Sequence, residues 1–181
     1  MGKVYVFLAD GLEEIEGLTV VDILRRAGAE LRTVSITDKL LVNGSHQIPI
    51  MADVRLMDTD FSDAEALVLP GGMPGTLNLG KCERLTGLLV DFYKKGGLVA
   101  AICAAPSVLG DLGILKGKKA ACYPGFEGRL AGAEVVYDPV ACDGNVITSR
   151  GMGTAIPFAL ALVSRLVSPE KSEEIRRGII Y

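Results

Sequence analysis

One histidine, His46, occurs among 181 residues, so no Cys2His2 site can be assembled from this chain. The four cysteines, Cys82, Cys103, Cys122 and Cys142, are spaced too widely for CxxC redox or zinc-ribbon pairs, and no metal is expected. A reducing compartment would leave each thiol free, by default as a small buried hydrophobe. Basic charge is also scarce. The formal net charge is -3, the pI is near 5.3, and no Lys/Arg cluster alternates with aromatics, which argues against a nucleic-acid partner. No apolar run approaches the roughly 20 residues that span a bilayer. The opening MGKVYVFLADG is too short an apolar run for a signal peptide, is broken by Asp10 and lacks a small-residue cleavage site. It reads as a first strand, and a cytoplasmic protein without membrane contact is expected. Neither GxGxxG after that strand nor GxxxxGKS/T is present, so dinucleotide and phosphate-loop readings are weak.

What is present is an alternation. The runs KVYVFLA, ELRTVSI, EALVLP and LVAAIC are apolar almost throughout, and helical patterns separate them. Strands without polar alternation are covered on both faces, which gives an α/β class with a mostly parallel sheet. The length suits one domain, residues 1 to 181, with no linker or repeat. In the first helix Val20, Ile23, Leu24 and Ala27 form one apolar face, closed by Arg25, Arg26 and Gly28. Asn43 and Gly44 within LLVNGSHQIPI signal a hairpin, and CDGNV signals another. GMGTAIPFALALVSRLV and PEKSEEIRRGIIY read as closing helices, the second capped by Ser168 and Pro169.

Open parallel sheets bind ligands beyond the carboxyl ends of their strands. Three stretches fall there: ADGLEEIE, LPGGMPG and ICAAP. In the last, Cys103 sits where a strand turns into a helix, beside N-H groups that stabilise a thiolate and can hold an oxyanion. Ala101, Ala104 and Ala105 leave room for a sharp elbow. On this pattern alone a buried structural cysteine is equally plausible. Gly71 and Gly72 suit close backbone approach to a ligand, with a plain turn as the simpler account. Glu13, Glu14 and Glu16 are ordinary dipole partners of a helix start unless one points inward; a carboxyl buried beside a thiol would be pushed toward protonation and could relay a proton.

Taken in order, ADGLEEIE, VLPGGMPG, AAICAAPSVLG and ITSRGMGT resemble the DJ-one/ThiJ/PfpI superfamily, in its DJ-one-like branch, over essentially the whole chain. The resemblance implies a flavodoxin-like three-layer sandwich, a homodimer, and a reactive cysteine at a nucleophile elbow. Position by position it implies Cys103 as that cysteine and Glu16 as the acid hydrogen-bonded to it. Gly71 and Gly72 would supply oxyanion-side backbone, with the N-H of Ala104 opposite. The departure falls at CYPGFE, where Tyr123 stands in place of the histidine many relatives carry; chemistry needing an imidazole base becomes less favoured, since tyrosine titrates near ~10. His46 is read first as a solvent-exposed hairpin tip. The resemblance suggests that this hairpin approaches the site of a second copy, opposite Arg26.

The implied activity is cofactor-independent glyoxalase or deglycase chemistry on small reactive aldehydes or early glycation adducts, in which the Cys103 thiolate adds to the carbonyl and Glu16 shuttles protons. The alternative is a redox sensor or stress-responsive chaperone whose Cys103 is oxidised by peroxide. A role in thiamine precursor metabolism has no support in these residues.

Overall fold

Every residue of the first strand from Val4 to Leu8 is buried, because both faces of that strand are covered. The structure is a computed structural model that describes residues 2–181. In chain order the elements are β1 (Lys3–Leu8), α1 (Glu14–Arg26), β2 (Leu31–Ser35), β3 (Leu41–Asn43), β4 (Pro49–Met51), β5 (Val54–Arg55) and β6 (Ala64–Leu69). There follow α2 (Gly75–Lys81), α3 (Glu83–Lys94), β7 (Leu98–Ile102), α4 (Pro106–Asp111), β8 (Lys119–Ala120) and β9 (Glu134–Val135). The chain closes with β10 (Val140–Asp143), β11 (Val146–Ser149), α5 (Ala155–Leu166) and α6 (Pro169–Gly178).

Seven strands form one sheet in the order β10-β11-β7-β6-β1-β2-β5, parallel except for the edge strand β10. Successive side chains of β1 serve opposite cores. Val4, Val6 and Leu8 pack with Val20, Ile23 and Leu24 of α1, Phe158 and Leu162 of α5 and Ile175 of α6. Tyr5 and Phe7 pack with Leu79 of α2, Leu85 and Leu89 of α3 and Leu109 of α4. The three-layer, flavodoxin-like sandwich follows directly from strands apolar on both sides and helices apolar on one.

The chain leaves β1 toward β2 on one side and later places β6 on the other. That reversal opens a crevice at the carboxyl ends of β1 and β6, with β7 and β11 alongside. Both expected hairpins form, though differently. β10 and β11 turn tightly through Gly144 and Asn145. β3 and β4 form a separate two-stranded ribbon whose connection runs from Gly44 to Ile48, longer than a two-residue Asn-Gly turn, because the Glu14 carboxylate binds the loop backbone at His46. Ser168 caps α6 by accepting the N-H of Lys171 at 3.1 Å. No helix among the described residues is long and apolar enough to cross a membrane.

Phe158 is fully buried on α5 in the core shared with α1 and the sheet. Phe158→Ala should lower the unfolding free energy by about 3–5 kcal/mol through lost transfer energy and a residual cavity, read from denaturant midpoints; a loss under about 1 kcal/mol would contradict this packing.

Candidate active site

β7 ends at Ile102, and Cys103 then takes a left-handed backbone conformation, φ 67, before α4 begins at Pro106. A side chain in that region is strained by about 1–2 kcal/mol. The strain is held from both sides: the Cys103 N-H donates to the Ser149 carbonyl at 3.0 Å, and the Tyr123 N-H donates to the Cys103 carbonyl at 2.8 Å. Sharp turning at this residue throws the thiol out of the strand and over the carboxyl edge of the sheet.

Glu16 lies in the first turn of α1, where the helix axis points its carboxyl at the elbow; only 1% of it is exposed. The Gly71 N-H, at the end of β6, donates to its Oε2 at 2.9 Å, while Oε1 is buried with no partner. Burial, chiefly, pushes the Glu16 carboxyl up to about 7, against the lowering by its hydrogen bonds to Cys103 and Gly71. Burial first, then the Glu16 negative charge and its hydrogen bond, pushes the Cys103 thiol up to about 12. The backbone N-H groups of Ala104 and Gly72 pull the other way, as the sequence led us to expect, but are outweighed. Cys103 and Glu16 are therefore a buried acid pair that titrates as one unit. A proton on Glu16 cancels its charge and turns an acceptor into a donor, leaving Ala104 and Gly72 to bear on the sulfur.

The Gly71 N-H is committed to Glu16 rather than free for an oxyanion. The lack of a side chain at Gly71 is what lets the pair meet: a Cβ there would lie 2.6 Å from the Cys103 Cβ and 2.6 Å from Glu16 Oε2. Gly72, at φ +92, approaches the turn after β1 so closely that a Cβ would fall 2.2 Å from the Glu13 nitrogen.

A cavity of about 590 Å³ opens over this pair. Cys103, Glu16, Gly72 and Ala104 line it, with Tyr123, Phe126, Met73 and Met152 as walls. Tyr123 is half exposed in the wall of this cavity. Glu13 and Arg150 also line the cavity, and the residue-by-residue reading missed both in this role. Arg150 had a visible signal, a cation directly after a strand in ITSRG; the pairing of Ser149 with Ile102 brings it beside Cys103.

Arg26 and His46 lie outside this cavity. Arg26 pairs with Asp22 at 2.7 Å and borders a separate groove with Ile15, Leu18, Ile48 and Ile180. His46 is exposed yet anchored: its backbone N-H donates to Glu14 Oε1 at 2.7 Å and its Nδ1 lies 2.8 Å from Glu14 Oε2. Burial alone would raise the Glu14 carboxyl, but the ring and backbone hydrogen bonds around it, those of His46 among them, pull it down to about 2. Glu13, Glu14 and His46 hold potential metal-ligand atoms within 4.8 Å of one another. The Glu14 oxygens are already engaged by His46 and Ser45, so hydrogen bonding accounts for this cluster. Of the remaining cysteines Cys122 is buried as expected, whereas Cys82 is partly exposed and Cys142 exposed, since Cys142 alternates outward on the edge strand β10.

The family model described as "DJ-1/PfpI family" matches residues 2–165. "Protein DJ-1 homolog B" of Arabidopsis thaliana is 39% identical over 98% of this chain, which spans only 41% of that protein's length. "Glutathione-independent glyoxalase DJR-1.2" of Caenorhabditis elegans is 35% identical over 92% of the chain and 89% of its own length. The solved structure "Toxoplasma gondii DJ-1, oxidized" superposes with TM-score 0.96 at 35% identity, over 100% of this chain and 99% of that one.

Glu16 has a folded pKa raised from the usual 4.5 to about 7, so the folded state holds this proton more tightly than the unfolded chain. Its contribution is fully favourable below about 4.5 and is lost as pH rises toward about 7. Glu14 acts in the opposite sense, stabilising above 4.5 and losing this as pH falls toward about 2. Unfolding titrations between pH 4.5 and 8 should show Glu16→Gln removing a decline of roughly 3 kcal/mol present in the parent; parallel pH profiles would refute the buried-acid assignment.

Proposed function

The chain belongs to the DJ-1/PfpI family, and on that premise we propose that it is a single-domain, cysteine-dependent enzyme of glyoxalase or deglycase type, acting on small reactive aldehydes or early glycation adducts in the cytoplasm. The observation that carries this reading is the buried carboxyl of Glu16 set against the strained Cys103 thiol at the floor of an open cavity. Two acids sharing one charge supply a nucleophile and a proton carrier at the same point.

With methylglyoxal the sequence of steps is as follows. In the reactive form of the pair the proton has passed to Glu16 and the charge to the Cys103 sulfur, which adds to the aldehyde carbon; a C-S bond forms and the carbonyl π pair moves to oxygen. The N-H groups of Ala104 and Gly72 favour negative charge at this spot, and Glu16 protonates the oxyanion to give a hemithioacetal. Glu16, now ionised, removes the C-H proton of that carbon, and the electron pair forms an enediolate with the former ketone oxygen. The hydroxyl proton on the first carbon passes to that second oxygen and Glu16 returns its proton to the second carbon, leaving a thioester of the 2-hydroxy acid. Water cleaves the thioester, releasing lactate and a proton to solvent and restoring the pair with its one proton. Methylglyoxal and water have become lactate and a proton with no external oxidant, and no step calls for a metal or organic cofactor. Tyr123 shapes the wall and does not act as base, since a phenol is a poor base at neutral pH.

A second reading is peroxide oxidation of Cys103, as a sensor or stress-responsive chaperone, which draws support from the oxidized relative among the solved structures. The sulfur would pass to sulfenate or sulfinate, with a protonated Glu16 donating to the new oxygen.

We also take the functional form to be a homodimer. The groove beside α1 presents exposed Ile15, Leu18, Ile48 and Ile180 around Arg26, a continuous apolar face suited to a second copy. The His46 hairpin borders it through Ile48, as an approach to the second copy's site requires.

Turnover of methylglyoxal to lactate should be lost in Cys103→Ala and fall about 10²-fold or more in Glu16→Gln; absent turnover in the parent, with stoichiometric peroxide uptake at Cys103, would favour the sensor instead. Sedimentation should give twice the chain mass for the parent and the single-chain mass for Leu18→Asp, while a monomeric parent would end the dimer reading.

A further inference from the structure

Arg150 is the one residue of the cavity whose charge the described structure leaves unanswered. Several arginines have carboxylate partners, Arg25 with Asp53 and Arg129 with Asp111 among them. Among the described residues Arg150 has none, and its Nε is buried without a hydrogen-bond partner. Its backbone is fixed instead: the N-H donates to Thr154 Oγ1 at 3.2 Å, and the preceding Ser149 accepts the Cys103 N-H through its carbonyl. Its guanidinium lies 5.7 Å from the centre of the Tyr137 ring, a stacking contact that holds the plane without consuming its donors. Arg150 itself lines the cavity that opens over Cys103.

A rigid guanidinium with a buried free donor, beside an electrophile-seeking sulfur, is built to receive a planar or tetrahedral oxyanion. Neither acid of the cavity pairs with it. Glu16 is held back by Gly71, and Glu13 lies toward His46, its Oε2 3.7 Å from the ring nitrogen. We infer that Arg150 is the anion-recognition residue of the Cys103 cavity, and that the molecules this site prefers carry a carboxylate or phosphate next to the carbon that Cys103 attacks. The inference deepens the reading of Cys103 as nucleophile and rests on it only for what reacts. Arg150 would also hold the carboxylate of a 2-hydroxy acid product.

Iodoacetate and iodoacetamide test this, because they differ chiefly in a carboxylate against a neutral amide and form the same C-S bond with loss of iodide. Rates at Cys103 are read by peptide mapping at one pH, so that the other cysteines are scored separately. Arg150→Gln should lower the iodoacetate-to-iodoacetamide rate ratio by about tenfold or more, and Arg150→Lys, which keeps the charge without the fork, should fall between. An unchanged ratio in both variants overturns the inference. Calorimetric titration of the parent and of Arg150→Lys with glycolate, and separately with inorganic phosphate, needs no reactive thiol. Binding of either anion that weakens in the variant supports the inference and says which anion is preferred; no binding in the parent, or equal binding in both, overturns it. If Cys103 resists both alkylating reagents, the nucleophile reading fails while the calorimetry still decides the role of Arg150.

Discussion

Two acids meet in a place where burial makes a second charge costly. Glu16 is almost wholly buried and Cys103 lies against it, so ionising both at once is costly, and each group's proton affinity depends on the other's state. Much of the surrounding structure can be understood as the means of bringing these two groups together. α1 presents Glu16 from its first turn, β7 delivers Cys103 at its end, and β6 contributes the Gly71 N-H that fixes the carboxyl between them. Three separate chain segments thus meet at one point because their strands are neighbours or near neighbours in one parallel sheet.

Such a meeting tolerates no spare atoms. A methyl group at Gly71 would collide with both members of the pair, and Cys103 reaches its position only through a left-handed backbone clamped by Ser149 and Tyr123. Backbone strain persists where the surroundings over-determine it, and the hydrogen bonds on each side of Cys103 do so. The two buried cores, one on each face of the sheet, supply the rigidity that makes the clamp effective.

Charge in the cavity is asymmetric. Glu13 would repel an anionic ligand, while Arg150, stacked near Tyr137, offers a positive charge without a carboxylate partner among the described residues. Glu14, although adjacent in sequence to Glu13, faces away into the His46 loop and is pulled strongly toward its ionised form there. Three acids within four residues of one helix start therefore serve three environments: Glu14 anchors a hairpin, Glu13 borders the cavity, and Glu16 holds a proton in its floor.

By itself the sequence determined the layers, because strands apolar at every position must be covered on both faces, and helices with one apolar stripe can do the covering. KVYVFLA and LVAAIC made that legible, as did the apolar face of Val20, Ile23, Leu24 and Ala27. It also located the crevice and the cysteine within it, since strand ends are where a parallel sheet leaves backbone groups and loops converging. Only the tertiary structure decided what those residues do to one another. The upward push on Cys103 comes from burial and from a carboxyl 87 positions earlier in the chain, a proximity no local pattern encodes. The commitment of the Gly71 N-H to Glu16, the outward turn of Cys142 and the unpaired guanidinium of Arg150 are likewise properties of packing, because hydrogen-bond partners and solvent access exist only once distant segments share a surface.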